Sequence, residues 1–160
     1  MFAGMETGVT VFVGQTETGP SVAPASINSA FEFEAAFGPL NPMYPLGYAV
    51  SDFFANGGIQ AVIIRLVPEN PRQEPQLPPG GVGKRVRQLT RARLLPAGAL
   101  SATDYLGNLE RRGGLSALDQ VDHFNLLCLP PDTLNGGLPP GVLAEAARIC
   151  FQRKAILLVD

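Results

Sequence analysis

The sequence has few of the residues that most catalytic and metal-binding sites need. It contains one histidine, His123, and two cysteines, Cys128 and Cys150. A structural zinc site needs four ligands, usually His and Cys side chains. One His and two separate Cys cannot fill such a site without carboxylates, so we expect no metal and no cofactor. Each cysteine lies in an apolar run, NLLCLPP or ARICFQR, which predicts small buried side chains in a reducing compartment rather than a disulfide.

Charged residues are also scarce. Asp, Glu, Lys and Arg make up 16% of the chain, its formal net charge is -2, and hydrophobic residues make up 46%. This composition excludes a disordered polyelectrolyte and a globally basic nucleic-acid-binding protein, so we predict a globular core and no nucleic-acid partner. The mean hydropathy of +0.14 fits a subunit that covers part of its exterior in an assembly.

Long apolar runs are absent. No run approaches the roughly 20 residues of a membrane-spanning helix, and the N-terminus lacks the basic and then apolar layout of a secretory signal peptide. We therefore expect no membrane span, no signal peptide and synthesis in the cytoplasm. A length of 160 residues predicts a single domain over 1–160.

The first part of the chain begins with a strand and a short helix. Residues 9–14 are apolar and rich in β-branched side chains, which predicts a central strand covered on both faces. Ser29-x-x-Glu32 has the form of a capping box and predicts a helix that ends at Phe37, before Gly38.

A second helix and a second strand follow. Pro45 is predicted in the first turn of a helix that ends at Asn56-Gly57-Gly58. Its apolar residues recur at helical spacing: Leu46, Val50, Phe53 and Phe54. The run 61–67 is short, apolar and bounded by Gly and Pro, which predicts a strand.

The middle of the chain changes in composition. Residues 68–83 are rich in Pro and Gly and predict a linker or surface loop. PPGGVGKR, which spans the end of this linker and the start of the next segment, is not a phosphate-binding loop, because Pro78 stands where the first Gly is required and Arg85 where Ser or Thr is required.

A basic segment, residues 84–93, follows this linker. We interpret it as a candidate protein-interface patch that faces an acidic neighbour, and inert surface stays an open alternative. Nucleic acid is disfavoured because no aromatic residues are interleaved. The candidate patch comprises Lys84, Arg85, Arg87, Arg91 and Arg93.

The rest of the chain predicts three helices and two strands. The helices run from a cap at Ser101 or Thr103 through Tyr105 and Leu109, over 115–121, and onward from Pro139-Pro140. The last helix buries one face, made of Val142, Leu143, Ala146, Ile149 and Cys150. The strands cover 124–129 and 155–159, and the second is predicted to be buried. Strands separated by helices predict an α/β fold, a layered domain with a mixed or largely parallel sheet flanked by helices.

No catalytic group emerges from this pattern. His123 and Cys128 are an odd number of residues apart, so a strand would place them on opposite faces of the sheet. Asp119, Asp122 and Asp132 fit ordinary loop chemistry. We expect no enzyme. The alternative is a small α/β ligand-binding or hydrolase-like domain that uses loops at the carboxyl ends of its strands, although the chain lacks a glycine-rich phosphate turn and a nucleophile elbow.

Several segments, taken in order, resemble a known family. They are VTVFVGQTETGP, INSAFEFEAAFG, PLGYAVSDFFANGG and AVIIRLV, then GLSALDQVDHFNLLCLPP and ARICFQRKAILLVD. In this order they resemble the core domain of contractile sheath proteins from phage tails and phage-derived injection systems. The resemblance covers about the first 67 and the last 60 residues. The segment before the first strand is short, MFAGMET, and the sequence ends at AILLVD. In these respects the chain resembles a core-domain fragment or a compact member of the family.

The resemblance implies a structural role in a virion tail or a cytoplasmic contractile assembly. Sheath subunits form six-fold rings stacked helically around a tail tube, and contraction drives injection. The implied partners are other sheath subunits, the tail tube protein and baseplate proteins. Subunits of this family are linked by donated terminal strands, a form of β-augmentation.

Overall fold

The computed structural model describes residues 8–68, 100–107, 113–132 and 137–159. These residues form a sheet with helices on both faces. The strands are β1 (Val9–Gln15), β2 (Ala25–Ile27), β3 (Gln60–Leu66), β4 (Leu126–Leu129) and β5 (Ile156–Val159). The helices are α1 (Ala30–Phe37), α2 (Leu46–Ala55), α3 (Ala102–Leu106), a 3₁₀ helix (Gly114–Gln120) and α4 (Pro140–Arg153).

The sheet is mixed and open, which confirms the predicted α/β fold. The strand order within the described residues is β2-β3-β1-β4-β5. Neighbouring strands are parallel except β2, which is antiparallel to β3. The middle strand, β1, is buried at all seven residues, as its continuous apolar run predicts.

The predicted helix starts agree with the structure to within about one residue. The Ser29 hydroxyl accepts a hydrogen bond from the Glu32 amide at 3.1 Å, while the Glu32 carboxylate accepts from the Asn28 amide at 2.7 Å. Pro45 is the residue before α2 rather than part of its first turn. Ser101, not Thr103, caps α3, because it makes a complete capping box with Asp104.

The structure differs from the predictions in three elements. Strand β2 was not predicted; it is only three residues long and takes its geometry from pairing with β3. The helix predicted over 115–121 is a 3₁₀ helix. Strand β4 begins at Leu126, two residues later than predicted, and Phe124 before it is buried in the core.

The prediction that the last strand is buried is wrong. Ile156 is 63% exposed and Leu158 is 46% exposed, because β5 lies at the edge of the sheet and only one of its faces is covered. Leu143 is likewise exposed rather than part of the buried face of α4. The face that α4 buries consists of Val142, Ala146 and Cys150, spaced four residues apart, and Leu143 is one position off this stripe.

Alternate residues of each strand supply two separate cores. On one side, Val11, Val13 and Leu127 pack with α3, the 3₁₀ helix and α4, and we call this side the α4 face. On the other side, Phe12 and Ile63 pack under α1 and α2, and we call this side the α1–α2 face. The period of two along the strands accounts for this division.

Candidate functional site

The outer edge of β5 is the first candidate site. Strand β5 pairs with β4 on one side, and no described residue pairs with its other side. The Ile156 amide donates to the Asn125 carbonyl at 2.8 Å, so Ile156 and Leu158 direct their backbone groups towards β4. Alternation then directs the backbone groups of Leu157 and Val159 outward. Such a row of unpaired groups is a template for another strand.

The opposite edge of the sheet is less suited to pairing. Strand β2 has three residues and follows Pro24 directly. The Gln60 side chain of β3 donates to the Ser26 hydroxyl at 2.9 Å, which ties this edge to its neighbour. Short length and a nearby proline are common ways to protect an edge. The two edges therefore differ, and β5 is the more open one.

A groove on the α1–α2 face is the second candidate site. Helix α2 ends above β1, so the part of this face that belongs to β4 and β5 has no helix over it among the described residues. The result is a groove of about 490 Å³, which we call the β4–β5 groove. Its lining includes Thr10, Phe12, Asp52, Phe53, Leu126, Cys128 and Leu158.

The floor of the groove is apolar with one exception. Thr10 is 2% exposed, and its hydroxyl is the one buried side-chain polar atom in the described part of the chain that has no hydrogen-bond partner. One end is closed by aromatic rings, because Phe53 packs edge-on against Phe12 with 5.5 Å between ring centroids. Asp52 supplies the charge among the lining residues. The groove therefore favours an apolar group that brings a positive charge.

Helices α1 and α2 differ in charge from α4. Helices α1 and α2 contain Glu32, Glu34 and Asp52 but no Lys or Arg. On the opposite side, α4 and the residue after it contain Glu145, Arg148, Arg153 and Lys154. Among the described residues, the charged side chains of α1 and α2 are therefore all acidic, and the end of α4 carries a cluster of basic side chains.

Most of the cations on α4 already have partners. Arg148 pairs with Glu145 at 2.6 Å, and its hydrogen bond lowers the pKa of the Glu145 carboxyl. The Arg153 guanidinium donates to the Leu118 carbonyl at 3.0 Å and lies 5.9 Å from the centre of the Phe124 ring. Lys154 forms no ion pair with any residue that the structure describes. Lys154 is thus the exposed cation available to a partner.

Each helical layer also exposes one phenylalanine. Phe151 on α4 is 87% exposed and Phe31 on α1 is 80% exposed. Phe151 follows Cys150, the last residue of the buried stripe, and therefore points away from the core. Its neighbours Arg148 and Lys154 are basic, whereas Phe31 is followed by Glu32. An exposed ring of this size is a common anchor in protein interfaces.

The residues weighed for catalysis lie in different settings. His123 is exposed in the loop before β4, where its ring nitrogen is 3.5 Å from the Asn125 amide nitrogen. Cys128 is half-buried on the α1–α2 face and Cys150 is buried on the α4 face, so the sheet separates the two thiols and they form no disulfide. Within the described ranges, no group of three or more His, Cys, Asp or Glu residues is placed to hold a metal ion.

Open α/β sheets usually bind ligands at the carboxyl ends of their strands. In this chain Arg65, near the end of β3, lies at that position. Its guanidinium donates to the Gly19 carbonyl at 2.8 Å and to the Thr16 and Glu17 carbonyls. These bonds tie the loop after β1 to β3. The Asp132 carboxylate, in the loop after β4, accepts a hydrogen bond from the Leu100 amide at 3.0 Å. Both charged groups therefore serve the local backbone.

The basic patch predicted from Lys84, Arg85, Arg87, Arg91 and Arg93 lies outside the described residues, as does the linker from residue 69 onward. It stays a prediction. The features that the sequence analysis missed are the exposed Phe151 and the groove. The first had a signal, because Phe151 falls outside the helical stripe, whereas the groove depends on where α2 ends over the sheet.

The chain was compared with protein-family models, curated proteins and solved structures. No protein-family model and no curated protein matches the chain. A chain in the cryo-EM structure of the anti-feeding prophage baseplate in its contracted state is similar, with a TM-score of 0.44 and 18% sequence identity. The match covers 97% of this chain but 35% of that one. None of the described helices is long and apolar enough to cross a membrane.

Proposed function

We propose that this chain is a non-enzymatic structural subunit of a contractile tail sheath. Its copies polymerise around a tail tube through subunit docking and strand addition, and contraction of the polymer drives injection. The partners are further copies of the subunit, the tube protein and baseplate proteins. The observation that carries this proposal is the open outer edge of β5, and the ordered segments that resemble sheath proteins support it.

Strand addition suits the edge of β5 for a physical reason. The outward backbone groups of Leu157 and Val159 offer hydrogen bonds to any extended segment, and such bonds give affinity without a particular side-chain code. The exposed side chains of Ile156 and Leu158 give an incoming strand apolar surface beside those bonds. A mechanical assembly gains from this arrangement, because backbone pairing survives while rigid domains change their docking.

The test removes one outward amide and leaves the fold intact. In Val159→Pro, the proline ring deletes the N–H that faces away from β4, so the pairing of β5 with β4 is kept. Val159→Thr is the matched control, because it is β-branched and keeps the amide. We expect negative-stain microscopy to show rings or tubes for the wild type and Val159→Thr, and shorter or no polymers for Val159→Pro.

Two results would count against the proposal. A wild-type chain that stays monomeric in sedimentation at every concentration and salt level, including in the presence of tube protein, would overturn the structural role. Polymers of Val159→Pro as long as those of Val159→Thr would overturn strand addition at β5. Circular dichroism of all three proteins establishes that each is folded.

A further inference from the structure

The end of α4 forms a compact projecting surface, which we call the Phe151 knob. It consists of Phe151, Arg148 one turn before it, and Lys154 just after the helix. The phenylalanine is almost fully exposed, and Lys154 adopts a left-handed conformation with φ of 55° that ends the helix. The knob therefore combines a large apolar group with positive charge.

The β4–β5 groove has the complementary character. Its lining is mostly apolar, it includes Asp52, and it includes no Lys or Arg. It also lies at the carboxyl end of α2, where the helix dipole adds partial negative charge. The groove thus selects an apolar group accompanied by a cation.

We propose that the Phe151 knob of one copy docks into the β4–β5 groove of the next copy. The phenyl ring lies over Leu126, Cys128 and Leu158, and Lys154 faces Asp52. This inference rests on the proposed function, since it requires that copies of the chain assemble with one another. It adds to that function a side-chain contact that sets which faces meet.

The positions of the two surfaces determine the kind of assembly. The knob belongs to the layer on the α4 face, whereas the groove opens on the α1–α2 face. A contact between different surfaces of identical subunits is heterologous, so it repeats from copy to copy and produces a closed ring or an open helix. Each subunit then uses its knob once and its groove once.

The first test compares the two exposed phenylalanines. Phe151→Ser removes the knob, and Phe31→Ser is the matched control because it removes a ring of similar exposure beside acidic residues. Sedimentation velocity over a concentration series measures self-association of the full chain. We expect Phe151→Ser to weaken association at least about tenfold, as loss of a buried aromatic anchor does, and Phe31→Ser to match the wild type.

The second test exchanges the charges. Asp52→Lys and Lys154→Asp should each weaken association several-fold, because each places like charges opposite one another. Asp is tolerated in the left-handed conformation at position 154. An equimolar mixture of the two variants should regain wild-type association, since every knob then meets a groove of opposite charge. Glu34→Lys, an equal charge change on α1 away from the groove, serves as the control.

The outcomes separate the two proposals. A wild type that does not associate overturns the proposed function and this inference together. A wild type that assembles while Phe151→Ser assembles equally well overturns the knob and groove alone. Failure of the mixture to regain association, with both single variants weakened and folded, also overturns the pairing of Lys154 with Asp52.

Discussion

The two faces of the sheet differ in how completely they are covered. On the α4 face, three helical segments cover the strands, and Val11, Leu127 and Leu129 have no exposed surface. On the α1–α2 face, two helices cover β2, β3 and β1, and the side chains of β4 and β5 are left half-buried or exposed. Both faces contain a buried core, but the core on the α4 face is larger, and the α1–α2 face leaves apolar strand residues exposed.

The largest expected effect is the loss of stability when a core side chain of the α4 face is truncated. Leu127→Ala opens a cavity in the α4-face core and should lower the free energy of unfolding by about 2–5 kcal/mol. Leu158→Ala, the same change on the exposed part of the α1–α2 face, should alter it by about 0.5 kcal/mol or less. Urea unfolding followed by circular dichroism measures both. Equal losses would show that the two faces contribute alike.

The next effect depends on pH and again concerns the α4 face. Burial, with a smaller contribution from the Asp132 carboxylate, raises the pKa of Tyr105 well above its ordinary value. The folded state keeps the phenol protonated while the unfolded chain loses that proton above about pH 10. The stability from this group is therefore complete below pH 10 and declines as pH rises, by about 1.4 kcal/mol per pH unit.

Urea unfolding at pH 9, 10 and 11 measures this decline, and Tyr105→Phe is the matched variant. Phenylalanine keeps the buried ring but has no proton to lose, so the variant should show a shallower decline than the wild type. Parallel pH profiles for the two proteins would contradict the assignment to Tyr105. The α1–α2 face offers no corresponding buried phenol, because its large core aromatics are phenylalanines.

The sequence predicted the covered parts of the fold well, because their signals are local. The apolar run of β1 and the capping residue Ser29 specify structure through nearby residues alone. The fold class followed from the alternation of helices and strands. The exposed outer strand was predicted as buried because ILLV is as apolar as a central strand, and its place at the edge depends on which strands pair.

The candidate site was less accessible to sequence reasoning for the same reason. The sheath resemblance implies strand donation, which stays a prediction, and no residue pattern marks the β4–β5 groove. The groove exists because α2 ends at Ala55 above β1 and no described helix continues over β4. Residues that line it are far apart in sequence, from Thr10 to Leu158. Such a site becomes visible only when the strand order is known.

The smallest expected effect concerns the helix caps on the two faces. Ser101 makes a complete capping box at α3, with the Ser101 amide donating to Asp104 at 2.7 Å, whereas Ser29 accepts one bond at α1 while Glu32 reaches Asn28 instead. Ser101→Ala should lower the free energy of unfolding by about 1 kcal/mol. Ser29→Ala should cost no more than this, because the Glu32 bond to Asn28 is retained.

Urea unfolding of both variants, with Ser51→Ala inside α2 as a control without a capping role, provides the measurement. A larger loss at Ser29 than at Ser101 would mean that the partly covered face depends more on its helix ends than its packing indicates, and the contrast between the two faces would weaken.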